Sequence, residues 1–203
     1  AVVVDARGER LVVPFHDPQV DASPAWLPLQ QLGQADIVLA DVRWLEGAEA
    51  VLRAAQAAGV PAMLDAEVGP LAVLQRLVPL ASHKVFSDAG LLHYTGLASM
   101  DEALLAVAAQ QGGHVGASCG AAGYAWVDDG RVRRVPAPVV QVVDTLAAGD
   151  VFHGALALGL AEGRPVDEAA RFACHAATLK CTRFGGRLGC PDRAEVEASL
   201  ASG

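Results

Sequence analysis

The sequence predicts an α/β fold, a mostly parallel sheet with helices on both faces. Two observations carry that expectation. Short apolar runs alternate with alanine- and leucine-rich stretches of helical length. Each run is continuously apolar, as in strands covered on both sides, whereas a sheet with one wet face would alternate apolar with polar residues.

The elements follow in order. Residues 1–4 and 10–15 flank Asp5, Ala6, Arg7 and Gly8, which reads as a hairpin, so residues 1–16 form a projecting flap or sheet edge. Residues 36–40 (DIVLA) make a buried strand, followed by a helix over 45–58 that Gly59 closes. Residues 60–65 (VPAMLD) and 84–87 are further strands, separated by a helical stretch over 70–80. A helix over 102–111 ends at Gly112 and Gly113, and 114–118 is the fourth run. Gly59 and Gly112 read as left-handed C-terminal caps, which glycine adopts without a Cβ penalty. Residues 124–127 and 132–135 flank Asp128, Asp129 and Gly130, a second hairpin signal.

After an apolar run at 139–143, residues 144–158 (DTLAAGDVFHGALAL) open a helix that is apolar almost all round. Such a helix belongs in a core, which would bring its N-terminus out of the middle of the fold. No internal repeat, low-complexity tract or long linker interrupts the chain, so residues 1–203 read as a single domain. The chain opens without methionine and in mid-strand, so it reads as lacking the N-terminal part of a longer protein.

Composition bounds the function classes. Fifteen Lys plus Arg against twenty-three Asp plus Glu leave a formal charge of −8, with 53% of residues apolar and a mean hydropathy of +0.33. Intrinsic disorder is excluded, because it requires low hydrophobicity with high charge. No apolar run approaches the roughly 18 residues of a membrane span. The opening AVVVDARGER lacks the basic-then-apolar order of a signal peptide. An acidic chain without Lys/Arg clusters is a poor nucleic-acid binder. Cys119, Cys174, Cys181 and Cys190 show neither C-x-x-C spacing nor a zinc-like partnership with histidine, and read as small buried residues of a cytoplasmic protein.

Chemistry concentrates in 144–158. Ala147, Ala148 and Gly149 have side chains small enough for a ligand to reach backbone N–H groups at a helix start, where the macrodipole favours an anion. Asp150 follows in the first turn. An acid beside an anion hole makes sense when a hydroxyl gives its proton to the acid while attacking a phosphoryl group held by the N–H groups. Residue chemistry alone leaves open that Asp150 only satisfies its own helix terminus. A second reading is an α/β serine hydrolase, since residues 116–120 fit G-x-S-x-G around Ser118, with Asp150 and His175 following in hydrolase order. That elbow must run from strand directly into helix, and GAAGYAWVDDGRV after Cys119 reads as glycine, strand and turn. Neither a G-x-G-x-x-G after a strand nor a P-loop lysine motif is present.

The whole stretch resembles the second signature of the ribokinase (PfkB carbohydrate kinase) family, D-T-x-G/A-A-G-D-x-x-x-G/A-A. Asp144, Thr145, Ala147, Ala148, Gly149, Asp150, Gly154 and Ala155 match it, although the family commonly has glycine where Ala147 stands. Ser118, Cys119, Gly120, Ala121, Ala122 and Gly123 look like the family's T-x-G-x-x-G loop, where the nucleotide phosphates and ribose lie. Residues 164–186 are similar to the C-terminal helix and glycine turn beside the adenine in ketohexokinase-like members, which points to His175 and Gly186 as adenine-side residues. Gly8, Glu9 and Arg10 resemble the end of a lid hairpin, which makes Arg10 a candidate phosphate ligand.

The resemblance implies a ribokinase-like three-layer sandwich with a small β-hairpin lid. It implies ATP-dependent phosphorylation of a sugar hydroxyl, with Asp150 as base and Ala147, Ala148, Gly149 and Asp150 supplying the anion hole. ATP and Mg2+ are the implied cofactors, with a monovalent cation (K+) permitted near Asp144, and lid pairing implies a homodimer. The sugar-binding residues are expected in the N-terminal part that this chain lacks. A catalytically silent nucleotide- or sugar-binding relative is the alternative. Many members carry N-x-x-E near Ser87–Gly90, where this chain has Ser87, Asp88, Ala89 and Gly90, as ketohexokinase-like members also depart from it. Asp88 is then a candidate metal contact, with an exposed helix-cap acid as the simpler role. Asp65 and Glu67, with Asp41 and Arg43, stand at carboxyl ends of expected strands, where open α/β sheets bind ligands, and are candidate magnesium-water or phosphate-side contacts. His153 faces either substrate or core, and Trp26, Trp44 and Trp126 read as scattered packing residues.

Overall fold

The computed structural model describes residues 2–4, 10–13, 17 and 19–202, and these divide into two compact units. The first comprises Ala1–Asp21, Ala121–Gly123 and Val135–Gly203, the second Ala22–Gly120 and Tyr124–Arg134.

The second unit carries a six-stranded sheet. Its strands are β3 (Val38–Asp41), β4 (Ala62–Ala66), β5 (His83–Ser87), β6 (His114–Ser118), β7 (Tyr124–Asp128) and β8 (Arg131–Val135), ordered β3-β4-β5-β6-β7-β8. β3 to β6 are parallel, with Asp41 opposite Asp65 and Ser87 opposite Ser118, and β7 returns antiparallel to β6. β4 is buried at all five positions, so neither of its faces meets solvent. Continuous apolar runs therefore report two-sided burial here, as expected. The sharp turn between β7 and β8 uses Asp129 and Gly130 at φ 47° and 69°, the left-handed pair that the hairpin signal demands.

Four helices connect the parallel strands: α1 (Leu45–Ala58), α2 (Leu71–Leu77), α3 (Asp88–Thr95) and α4 (Met100–Gln111). α1 has its expected bounds, and Gly59 closes it in the left-handed conformation at φ 70° and ψ 20°. Gly112 closes α4 differently, at φ 63° and ψ −174°, so it is a positive-φ stop but not a left-handed cap. The stretch expected as one helix over 70–80 is α2 followed by a 3-10 turn, Val78–Leu80. Pro79 has no N–H to continue the α ladder, which explains the change. α3 escaped sequence reading, because its eight residues are too short to show an apolar period. Leu52, Leu64, Leu74, Leu77, Phe86, Leu91 and Leu104, each fully buried, fill the core between these helices and the sheet.

The first unit contains α5 (Ala148–Ala161), α6 (Val166–Cys181) and α7 (Arg193–Ala201). α5 and α6 run close together: a Cβ at Gly159 would stand 2.9 Å from that of Ala169, so glycine sets the approach. Phe172, Ala176 and Val196 form the core shared with α7, which starts with a complete capping box of Asp192 and Glu195. α5 buries Phe152, His153, Leu156, Ala157 and Gly159, yet Leu158 is 43% exposed. It is a one-sided helix, not the all-round core helix expected from its composition. The run 139–143 is not a strand, because the Val143 N–H and the Asp144 N–H both donate to the Cys181 carbonyl at the end of α6.

The same unit holds an antiparallel pair, β1 (Val2–Val4) with β2 (Arg10–Val12), in which Val3 faces Leu11. The two strands expected to flank residues 5–8 are thus paired, the second over Arg10–Val12. The turn residues Asp5, Ala6, Arg7, Gly8 and Glu9 and the side chain of Arg10 lie outside the described residues. Among the described residues no helix is long and apolar enough to cross a membrane.

Candidate functional site

The start of α5 is shaped by one unusual residue. Ala147, the N-cap, adopts φ 63° and ψ 13°, a left-handed conformation that costs an L-residue roughly 1–2 kcal/mol. A glycine would adopt that conformation without the penalty. The conformation of Ala147 folds the chain so that the Ala148 N–H donates to the Thr145 carbonyl at 3.1 Å and the Val151 N–H to the Ala147 carbonyl at 3.0 Å. The Ala148 donor is therefore taken up locally, and the anion-binding capacity narrows to the N–H groups of Gly149 and Asp150, which first-turn geometry leaves without intrahelical partners. Asp150 is exposed at the third position of the helix. It is thus not enclosed in packed hydrocarbon. His153, one turn on, is buried and its Nδ1 lies 2.8 Å from the Gly149 carbonyl. A carbonyl accepts only, so this Nδ1 carries the proton and His153 steadies the helix start from the core side.

Under this turn lies a buried charged pair. Asp144 is 1% exposed; its Oδ1 accepts the Leu146 N–H at 2.8 Å and its Oδ2 accepts the Gly185 N–H at 2.9 Å. Lys180, fully buried on α6, donates to the Asp144 carbonyl at 2.7 Å and holds its Nζ 3.5 Å from Asp144 Oδ2. The Leu146 N–H chiefly, with help from the Gly185 N–H and the Lys180 ammonium, outweighs burial and holds the Asp144 carboxyl below the usual carboxylate range. One side chain so joins the turn into α5, the end of α6 and the glycine turn at 185. Gly186 completes the contact, since a Cβ there would meet the Leu146 and Ala147 side chains at 3.6 and 3.7 Å. Lys180 carries no role in the sequence reading: it stands 36 positions from Asp144, beyond the reach of any periodicity.

The remaining expected residues separate. His175 is half-buried and its Nδ1 pairs with Ser199 Oγ at 2.9 Å, between α6 and α7. Gly123 is required by its backbone twice over, with φ 92° and a hypothetical Cβ 2.0 Å from the Val135 carbonyl oxygen. Ala121 and Ala122 are exposed in the 3-10 turn Gly120–Ala122.

In the sheet unit, Ser118 ends β6 with its Oγ 3.4 Å from the Phe86 carbonyl. A 3-10 turn and then β7 follow, so no helix springs from Ser118 and the nucleophile elbow is absent. Asp65 is buried at the end of β4, and Glu67 is held by Arg43 at 2.7 Å. Asp88 is exposed with its own Ala89 N–H on Oδ1, while the cap of α3 is Ser87, whose Oγ accepts the Gly90 N–H at 3.0 Å. Among the described residues no three His, Cys, Asp or Glu side chains are grouped to hold a metal ion. Trp26 and Trp44 are not scattered: their rings stack with centroids 5.7 Å apart.

A mostly parallel sheet, and a helix that opens on small residues with an acid in its first turn, belong to an α/β protein, and the solved structures it resembles have the ribokinase-like fold. The pfkB family carbohydrate kinase pattern matches residues 1–193, and the chain belongs to that family. It is similar to the ribokinase of Bacillus subtilis (strain 168), with 46% identity over 67 residues, 33% of this chain and 23% of that enzyme. Ketohexokinase from Mus musculus is 46% identical over 44 residues, 22% of this chain and 15% of that enzyme. Among solved structures, a candidate ribokinase from Agrobacterium tumefaciens superposes with a TM-score of 0.94 at 41% identity, covering 99% of this chain and 67% of that one. Arabidopsis thaliana ribokinase, complexed with ribose and ATP, gives 0.80 at 28% identity, covering 98% of this chain and 67% of that one. The chain spans about a quarter of the curated ribokinases it matches, 23% and 27% in two bacterial cases, and about two thirds of these solved chains.

Proposed function

We propose that this chain carries the phosphoryl-transfer part of an ATP-dependent sugar kinase. One observation carries the reading: Asp150 stands exposed in the first turn of α5, directly beside backbone N–H groups opened by Ala147, Ala148 and Gly149. A carboxylate of Asp150 accepts the proton of a sugar hydroxyl, most simply a primary one, as that oxygen attacks the γ-phosphorus. The bond to the β-phosphate oxygen breaks and ADP departs. The N–H groups of Gly149 and Asp150, with the positive end of the α5 dipole, hold the equatorial oxygens of the transferring group. Gly120 to Gly123 cradle the nucleotide, and Gly186 lines its base side. Mg2+ would enter on the ATP phosphates, where it neutralises charge on the transferring group. A homodimer in the cytoplasm completes the proposal.

The test is ADP release by the purified protein across a panel of pentoses, ketoses and nucleosides, with ribose first. Asp150→Asn should lower kcat by roughly 10²–10⁴-fold while ATP binding, measured by calorimetry, persists. Undiminished turnover in that variant would remove Asp150 as the base. ATP binding without turnover on any sugar, in the full-length protein that includes the expected sugar-binding part, would instead establish a silent relative.

A further inference from the structure

We infer that Lys180 replaces a monovalent cation beneath the start of α5, so that this chain needs no K+ there. The family resemblance permits such an ion near Asp144, and the residues present do not fit one. Asp144 is 1% exposed and both of its carboxylate oxygens already accept N–H groups, from Leu146 at 2.8 Å and Gly185 at 2.9 Å. An ion at this place would coordinate the Asp144 carbonyl and the open side of Oδ2. The Lys180 ammonium holds both, at 2.7 and 3.5 Å, from a position with no solvent exposure.

Charge decides between the two occupants. One carboxylate and one ammonium balance, and a K+ on the same oxygens would lie within a few ångströms of a like charge in a buried place, where water screens poorly. An ammonium with three donors can serve a carbonyl and a carboxylate together, as the ion would. The difference is tethering. An ion exchanges with solvent and makes the turn depend on salt, whereas a lysine held by α6 supplies the same positive charge permanently. Through Asp144, that charge steadies the turn that presents Ala147 to Asp150 and the glycine turn at 185. The inference rests on the kinase reading only for why that turn matters; the electrostatic claim stands on the pair itself.

The experiment is thermal unfolding of the full chain in KCl and in choline chloride at equal ionic strength, with a thallium(I) titration followed by thallium NMR. The unmutated protein should melt at the same temperature in both salts and show no saturable thallium site. Lys180→Ala should melt about 10 °C lower in choline chloride, from loss of one partner of a buried pair. It should recover part of that loss in KCl, and bind thallium in a way that Asp144→Asn abolishes. A K+-specific rise in melting temperature of the unmutated protein, or a thallium site in it, overturns the inference, as does a Lys180→Ala protein indifferent to K+. If Lys180→Ala does not fold, the salt comparison on the unmutated protein decides. None of these readouts requires turnover, so a failed sugar screen leaves them intact.

Discussion

The Asp144 carboxylate receives the Gly185 N–H at 2.9 Å from 41 positions along the chain, and this one bond closes the glycine turn onto the helix that carries Asp150. Lys180 pairs with the same carboxylate from inside the protein. The turn, the helix start and the end of α6 consequently stand or fall together.

Breaking that arrangement should be expensive. Asp144→Asn leaves the Lys180 ammonium buried without its counter-charge, and the expected loss is about 3–5 kcal/mol, read from urea unfolding. The folded carboxyl is held below its ordinary 3.8, so its stabilisation is complete above that value and disappears as pH falls through the lower folded value. Acid unfolding of Asp144→Asn should lack this component.

The left-handed Ala147 predicts a gain. Ala147→Gly removes the Cβ penalty at φ 63° and pays back part of it as unfolded-chain entropy, for a net stabilisation of about 0.5–1 kcal/mol. A higher urea midpoint with unchanged slope supports the strain argument, and a lower midpoint refutes it.

Gly123 predicts the opposite. Gly123→Ala would set a methyl group 2.0 Å from the Val135 carbonyl oxygen at a φ of 92°. Overpacking and backbone strain together should cost at least roughly 2 kcal/mol. Gly120→Ala, at φ 53° but with open space around it, should cost less, and calorimetric melting of the two variants ranks them.

The amino ends of β5 and β6 predict a pH effect remote from the proposed chemistry. Burial, aided by the nearby positive charges of His83 and Lys84, pushes the His114 imidazole down to about 4, and its Nε2 lies 2.7 Å from the Tyr124 hydroxyl. The folded state therefore favours the neutral ring. Its contribution is present in full above the ordinary value of 6.5 and is lost as pH falls toward 4, by roughly 3 kcal/mol. Urea unfolding at pH 7 and pH 4.5 should show a smaller acid loss in His114→Gln than in the parent, and equal losses would contradict the burial argument.

Much of the sheet unit was legible because its signals are local. The bounds of α1 follow from an alanine- and leucine-rich run with a glycine at its end, and β4 from a nearly continuous apolar stretch. The Asp129-Gly130 turn follows from two residues that tolerate positive φ. Signals too short or too composite failed: α3 has eight residues, and Pro79 divided what the apolar pattern joined. The composition of α5 promised burial on every side, yet only one face packs and Leu158 is exposed, since composition reports how apolar a helix is and not how many neighbours it finds.

For the candidate site the division is similar. Asp150 and the small residues before it were visible in the sequence, because a helix start displays its donors within four consecutive positions. The meeting of Asp144 with Lys180 and Gly185 was decided by tertiary structure alone, while the Ala148–Thr145 hydrogen bond and the positive φ of Ala147 are local turn geometry that the residue types did not announce. Contacts between residues 36 and 41 positions apart leave no trace in periodicity or spacing. They exist because packing α6 beside α5 encloses one carboxylate, and a carboxylate taken from water must find donors wherever the fold can bring them.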